Sequence, residues 1–232
     1  MNAILETLVA IGVFLAGLVS RVGIVLAVMA ALLLPVLLLV GAARGLRAFR
    51  LWAKGYRSAG LLRFRSGLSY APGHTWVRPE GSRLRVGIDD LAQRLFPWAV
   101  AVELPPPGRK VREGEPVAVV SAGGREARVA APVSGTVVTV NAAVVRNPTL
   151  LKSDSYGRGW LFSVEPDDRN WRSLPAGEEA RGWLRSEGQR LNGFYEQQLG
   201  IAATDGGELF GPPPALLGET EWKALTKAFL ST

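Results

Sequence analysis

Residues 4–43 are apolar almost without a break, whereas beyond Arg65 the apolar residues come in short bursts separated by Pro and Gly. The two regimes predict two kinds of structure. Residues 22–43 form a run of 22 without a charge. As a helix this run would be about 33 Å long, against about 30 Å for the hydrocarbon core of a bilayer. A transmembrane helix is therefore expected at 22–43, bent where Pro35 removes a backbone donor. Upstream, residues 3–19 are apolar apart from Glu6, and only Ser20 and Arg21 separate them from the main span. That gap is short for a hairpin. The first helix is expected to lie in the interface or against a partner, with a two-span hairpin as the alternative. A cleaved signal peptide is not expected, because the first residues carry no positive charge and the apolar stretch is too long for one.

Beyond the basic residues, the segments 84–88, 99–104, 117–120, 127–130, 137–140 and 160–164 are rich in Val or alternate in polarity, as strands do. Residues 89–95 read as a short helix, opened by an Asp cap and carrying Leu91, Ala92 and Leu95. Many short strands with turn residues between them predict a mainly β fold, a compact sandwich or barrel. Further on, residues 178–199 show helical spacing of Ala180, Trp183, Leu184, Leu191, Phe194, Tyr195 and Leu199. A Gly/Pro-rich connector at 200–214 then leads to a last helix near 219–230. Its apolar stripe of Trp222, Leu225 and Phe229 suits docking in another protein's groove; the alternative is that it folds back on its own domain. The organisation expected is an anchor at 1–43, a basic juxtamembrane segment at 44–68, a β domain at 69–184, and a helical C-terminal extension at 185–232.

Composition narrows the chemistry. Cysteine is absent and His74 is the single histidine. Thiolate chemistry, Cys/His zinc sites and a histidine-based triad therefore lack their raw material. No catalytic residue set, cofactor or metal site is expected. His74 reads as a packed or hydrogen-bonded residue, and Asp89 and Asp90 as helix caps.

The net charge of +7 suggests nucleic acid until it is divided along the chain. Residues 44–65 hold seven basic and no acidic residues, while 66–232 carry 19 of each sign. The excess is juxtamembrane, and nucleic acid is not an expected partner. Under the positive-inside rule this strip keeps the β domain cytoplasmic, on a cytoplasmic (inner) membrane. Arg44, Arg47, Arg50, Lys54 and Arg57 recur every three or four residues, as in an interfacial helix, and are assigned to anionic lipid at the cytoplasmic surface.

Six ordered motifs then carry a resemblance. Residues 70–81 (YAPGHTWVRPEG), 86–93 (VGIDDLAQ), 102–108 (VELPPPG), 131–141 (APVSGTVVTVN), 147–151 (NPTLL) and 156–161 (YGRGWL) stand in the order and spacing of the glycine-cleavage H protein. The chain resembles that family over roughly residues 69–184, about half its length. The resemblance implies a lipoyl-carrier β-sandwich (a barrel-sandwich hybrid) of two antiparallel sheets with flanking helices. It also implies where a lysine at a hairpin tip would be amide-linked to lipoate. Counting back from residues 132–135, that position is Gly124, which has no amine to acylate. Gly123 and Gly124 instead suit a tight primed turn.

A membrane anchor, a carrier domain without its lysine and a C-terminal docking helix together predict a non-catalytic accessory subunit. Its expected partners are other subunits of a membrane complex of the respiratory or photosynthetic kind. The alternatives are a membrane-localised regulator or decoy of lipoyl-dependent enzymes, and a periplasmic adaptor of an efflux or secretion system.

Overall fold

The computed structural model describes residues 2–96, 99–199 and 217–230, and the chain divides into two compact units, Met1–Lys54 and Gly55–Thr232. The first unit is one helix, α1 (Asn2–Ala53), of 52 residues, or about 78 Å at 1.5 Å per residue. It contains a stretch long and apolar enough to cross a membrane, with Leu26, Leu33 and Leu38 among its exposed side chains. The break expected at Ser20 and Arg21 does not occur. Both residues keep their N–H and accept helical dihedrals, so the two apolar stretches join into one helix. Pro35 lies inside α1 without ending it. The helix also runs on beyond residue 43 and stops before Gly55, whose φ of 81° is the left-handed conformation that closes helices.

The second unit is built from three antiparallel sheets. A two-stranded sheet holds β1 (Tyr56–Ala59) and β2 (Leu62–Arg65). The strands β3 (Ser69–Ala71), β4 (Thr75–Glu80), β5 (Arg83–Ile88), β7 (Lys110–Val111), β10 (Gly135–Val140) and β11 (Phe162–Pro166) make a six-stranded sheet in the order β3-β4-β5-β11-β10-β7. The third sheet is β6 (Ala99–Glu103), β8 (Pro116–Ala122) and β9 (Arg125–Ala130), in the order β6-β8-β9. Inward positions of the sheets and helices supply one core, with Trp76, Tyr70, Tyr156, Phe162, Leu84 and Val120 fully buried. Gly87 is needed where it stands, because a Cβ there would lie 2.5 Å from the Trp76 ring.

Short helices flank the sheets: α2 (Asp90–Leu95), α3 (Ala142–Arg146) and α4 (Leu150–Ser153), followed by α5 (Gly177–Leu199) and α6 (Glu219–Phe229). Asp89 caps α2 by accepting from the backbone N–H groups of Leu91 and Ala92, as its position before an apolar-periodic run predicts.

Two expected boundaries move. Residues 55–68 belong to the β unit, because Ala59, Leu62, Phe64 and Leu68 are buried in its core. Two phenols of the family-like region fix this hairpin. Tyr156 Oη donates to Arg63 O at 2.7 Å and accepts from Asp90 N at 2.9 Å. Tyr70 Oη accepts from Arg65 N at 2.7 Å and donates to Arg65 O at 3.1 Å. At the other end, α5 runs unbroken through residues 184 and 185 and buries Ala180, Leu184, Leu191 and Tyr195 against the sheets, so no boundary falls there.

Candidate functional site

The β8–β9 hairpin pairs Ala122 with Arg125 and Ser121 with Glu126, leaving Gly123 and Gly124 as the two turn residues. Their φ values of 60° and 78° are those of a primed turn, which matches the right-handed twist of the flanking strands. A Cβ placed on either glycine would meet no atom within 4 Å. The turn therefore opens to free space, and a side chain at position 124 would project unhindered. No lysine stands between Lys110 and Lys152, so neither strand of the hairpin offers an amine.

The flank of this hairpin is covered by α6. Trp222 Nε1 donates to Glu126 O at 3.1 Å, and the indole meets Phe96 edge to face at 6.2 Å. Arg125 places its guanidinium 5.6 Å from the centre of the Trp222 ring and donates to Leu217 O. At the other end of α6, Phe229 packs edge to face on Phe194 at 6.0 Å, and the Arg190 guanidinium lies 4.2 Å over its ring. Trp222, Leu225 and Phe229 are 5%, 0% and 2% exposed. Their assignment as anchors for another protein is thus corrected: the stripe is buried on its own domain. The apolar surface of α6 finds a complementary surface within reach, and burying it there removes it from water.

Behind α6 lies a buried ionic cluster centred on His74, itself held at φ 58°. His74 Nδ1 lies 2.8 Å from Asp89 Oδ2, and Nε2 lies 3.2 Å from Glu187 Oε2 on α5. The imidazole stacks on Trp183 at 5.2 Å and faces Phe229 at 6.1 Å. Burial pushes its pKa down, but the charge and hydrogen bond of Asp89, with those of Glu187, outweigh it and raise the pKa to about 9. His74 is thus a cation at neutral pH, pairing with two carboxylates. Glu187, desolvated but paired with His74 and Arg190, has its pKa lowered. Asp89 therefore caps α2 with one oxygen and pairs with His74 through the other. Sequence reading missed Glu187, for which only its place on an amphipathic helix 113 residues away gave any signal.

The basic residues are distributed over both units. Arg44, Arg47 and Arg50 lie exposed on α1, and Lys54 follows its end. Arg57 is on β1 in the other unit, where its Nη1 donates to Tyr56 O at 3.0 Å, so the expected single amphipathic helix through all five does not form. Gly55 ends the helix before Arg57 can join it. Among the described residues no group of three or more His, Asp or Glu side chains is placed to hold a metal ion.

Comparison with known proteins covers the same region. A glycine cleavage system H protein from Thermus thermophilus is 44% identical over 99 residues, 43% of this chain and 77% of that protein. The corresponding protein from Pseudoalteromonas atlantica is 41% identical over 124 residues, 53% of this chain and 90% of that one. A crystal structure of a glycine cleavage system H protein from Mycobacterium marinum superposes with a TM-score of 0.42 at 34% identity, over 45% of this chain and 87% of that one. The glycine cleavage H-protein family matches residues 68–187, half of the chain, which places the β-sandwich, its hairpin and the start of α5 inside the matched region. The chain belongs to the glycine cleavage H-protein family.

Proposed function

We propose that this chain is a non-catalytic, membrane-anchored accessory subunit of a multi-subunit membrane complex, of the respiratory or photosynthetic kind, whose H-protein-like domain serves as a cytoplasmic scaffold without lipoate. The observation that carries this reading is the Gly123–Gly124 turn. At the tip where H proteins carry lipoate on lysine, it offers no amine. The neighbouring Arg125 cannot substitute, since a guanidinium stays protonated and is not nucleophilic. The anchor is assigned to α1, whose uncharged run from 22 to 43 suits a bilayer, with Arg44, Arg47, Arg50 and Lys54 following on the cytoplasmic side. Anionic lipid near those residues would contribute about 1 kcal/mol for each. Arg57 is assigned to the same lipid surface.

The identity to working H proteins favours one second reading: a membrane-localised regulator that binds lipoyl-dependent enzymes without carrying the arm itself. A periplasmic adaptor is less well supported, because the two-residue β8–β9 turn lacks the long helical insertion of such proteins.

Two measurements test the proposal. Treatment with lipoate ligase, lipoate and ATP is expected to leave the intact mass unchanged; a lipoyl adduct on any lysine would overturn the reading of a non-carrier. Tagged chain extracted from native membranes in mild detergent is expected to bring stoichiometric integral-membrane partners. Recovery with soluble lipoyl enzymes alone would instead establish the regulator.

A further inference from the structure

In the β6-β8-β9 sheet, β9 is an edge strand, and edge strands present backbone groups with no strand partner. One of these, Glu126 O, accepts the indole N–H of Trp222. The strand answers in kind, since Arg125 donates to Leu217 O just before α6 and lies over the Trp222 ring. The two elements thus recognise each other through exchanged hydrogen bonds, with an aromatic contact between them. Around this pair, Phe96 and Trp222 meet edge to face, and Phe194, Arg190 and His74 surround Phe229. Arg190 Nη1 also donates to Ala228 O at 3.0 Å, near the last turn of α6. The helix is therefore fixed at both ends by hydrogen bonds from outside itself, with Leu225 fully buried between them.

The sequence separates this helix from the domain it covers. The family match ends at residue 187, and 17 residues, 200–216, lie between α5 and Leu217. A helix that presents Trp, Leu and Phe at i, i+3 and i+7 to a preformed groove is a common mode of protein recognition. Here ligand and receptor belong to one chain.

We propose that the β9 edge, together with Phe96, His74, Arg190 and Phe194, is a docking groove for an amphipathic helix, and that α6 occupies it in cis through its own contacts and not because the connector confines it there. The flank of the carrier hairpin has become a helix-recognition surface, and the segment it recognises is residues 217–230. The proposal is independent of the Gly124 argument and of the membrane assignment, and its failure would leave both standing.

The test uses the full chain in detergent, with a protease site placed within residues 200–216 and cleaved to completion. The released C-terminal fragment is expected to co-elute with the remainder at micromolar concentration. A synthetic peptide of residues 217–230 should displace it from the wild-type protein, while the same peptide carrying Trp222→Ala should be at least tenfold weaker. Arg125→Ala in the full chain, which alters only the receptor side, should speed fragment loss at least tenfold. Departure of the wild-type fragment upon cleavage, or equal competition by the two peptides, would overturn the proposal.

Discussion

The hairpin β1–β2 and the helices α5 and α6 are both attached to the β core, but by different chemistry. On the N-terminal side the phenols of Tyr70 and Tyr156, both with pKa pushed up by burial, bond to backbone groups of β2 and α2, beside the Asp90 carboxylate, which accepts from Arg63 N at 2.9 Å, and Arg94, which donates to Leu61 O at 2.6 Å. On the C-terminal side α5 is held through an ionic cluster, with His74 between Asp89 and Glu187 and Arg190 beside Glu187. A neutral hydroxyl keeps its bonds across the usual pH range, whereas an ionic cluster is only as stable as its protonation state. The phenol bonds of the first attachment are therefore indifferent to pH across that range, whereas the His74 pairs of the second depend on it.

The largest effect is expected from His74→Leu. It removes the cation from the buried Asp89 and should destabilise the chain by about 3–5 kcal/mol, since a lone buried charge remains. Thermal unfolding in detergent measures this, and a loss below 1 kcal/mol would show that the cluster carries little.

Next is the pH dependence of the wild type. The folded pKa of about 9 lies above the unfolded value of 6.5. The stabilisation is thus fully present below pH 6.5 and disappears as pH rises through 9. The shift corresponds to on the order of 3 kcal/mol. Denaturant titrations at pH 6 and pH 10 should show that loss in the wild type and not in His74→Leu; equal loss in both would detach it from the histidine.

Tyr156→Phe tests the phenol bonds. It orphans Arg63 O and Asp90 N and should cost about 2 kcal/mol, by the same amount at pH 6 and pH 8. A cost that varied with pH would break the contrast between the two attachments. The smallest change is Gly124→Ala, where an L residue must adopt a φ of 78°. About 1 kcal/mol is expected, read as a drop in the unfolding midpoint, with Gly124→Asn milder than Gly124→Ala.

Much of this arrangement was legible in the sequence, for reasons that differ by element. Runs rich in Val or alternating in polarity at 84–88, 117–120, 127–130 and 137–140 marked β5, β8, β9 and β10, because each contributes buried side chains to the core. The tight turn followed from Gly123 and Gly124 alone. Strands β1 and β2 were hidden by their arginines: Leu62 and Phe64 alternate with Arg63 and Arg65, and the charges suggested a membrane-surface segment in place of a half-buried strand. The α6 stripe was readable, but a stripe reports only that something covers it. Which surface does so depends on Glu126 O and Phe96, neither of which has a local signal in sequence. The His74 cluster was half visible, since Asp89 is near in sequence and Glu187 is not.

The indole of Trp222 has one more consequence, for handling the protein. A chain shortened to end before Leu217 would lose Leu217, Trp222, Leu225, Phe229 and Leu230 from its core while keeping the part between the sheets, and it would present β9 as an uncovered ladder next to the apolar ring of Phe96. Such a truncation is expected to fold and then to self-associate strand against strand, forming oligomers or precipitate as its concentration rises.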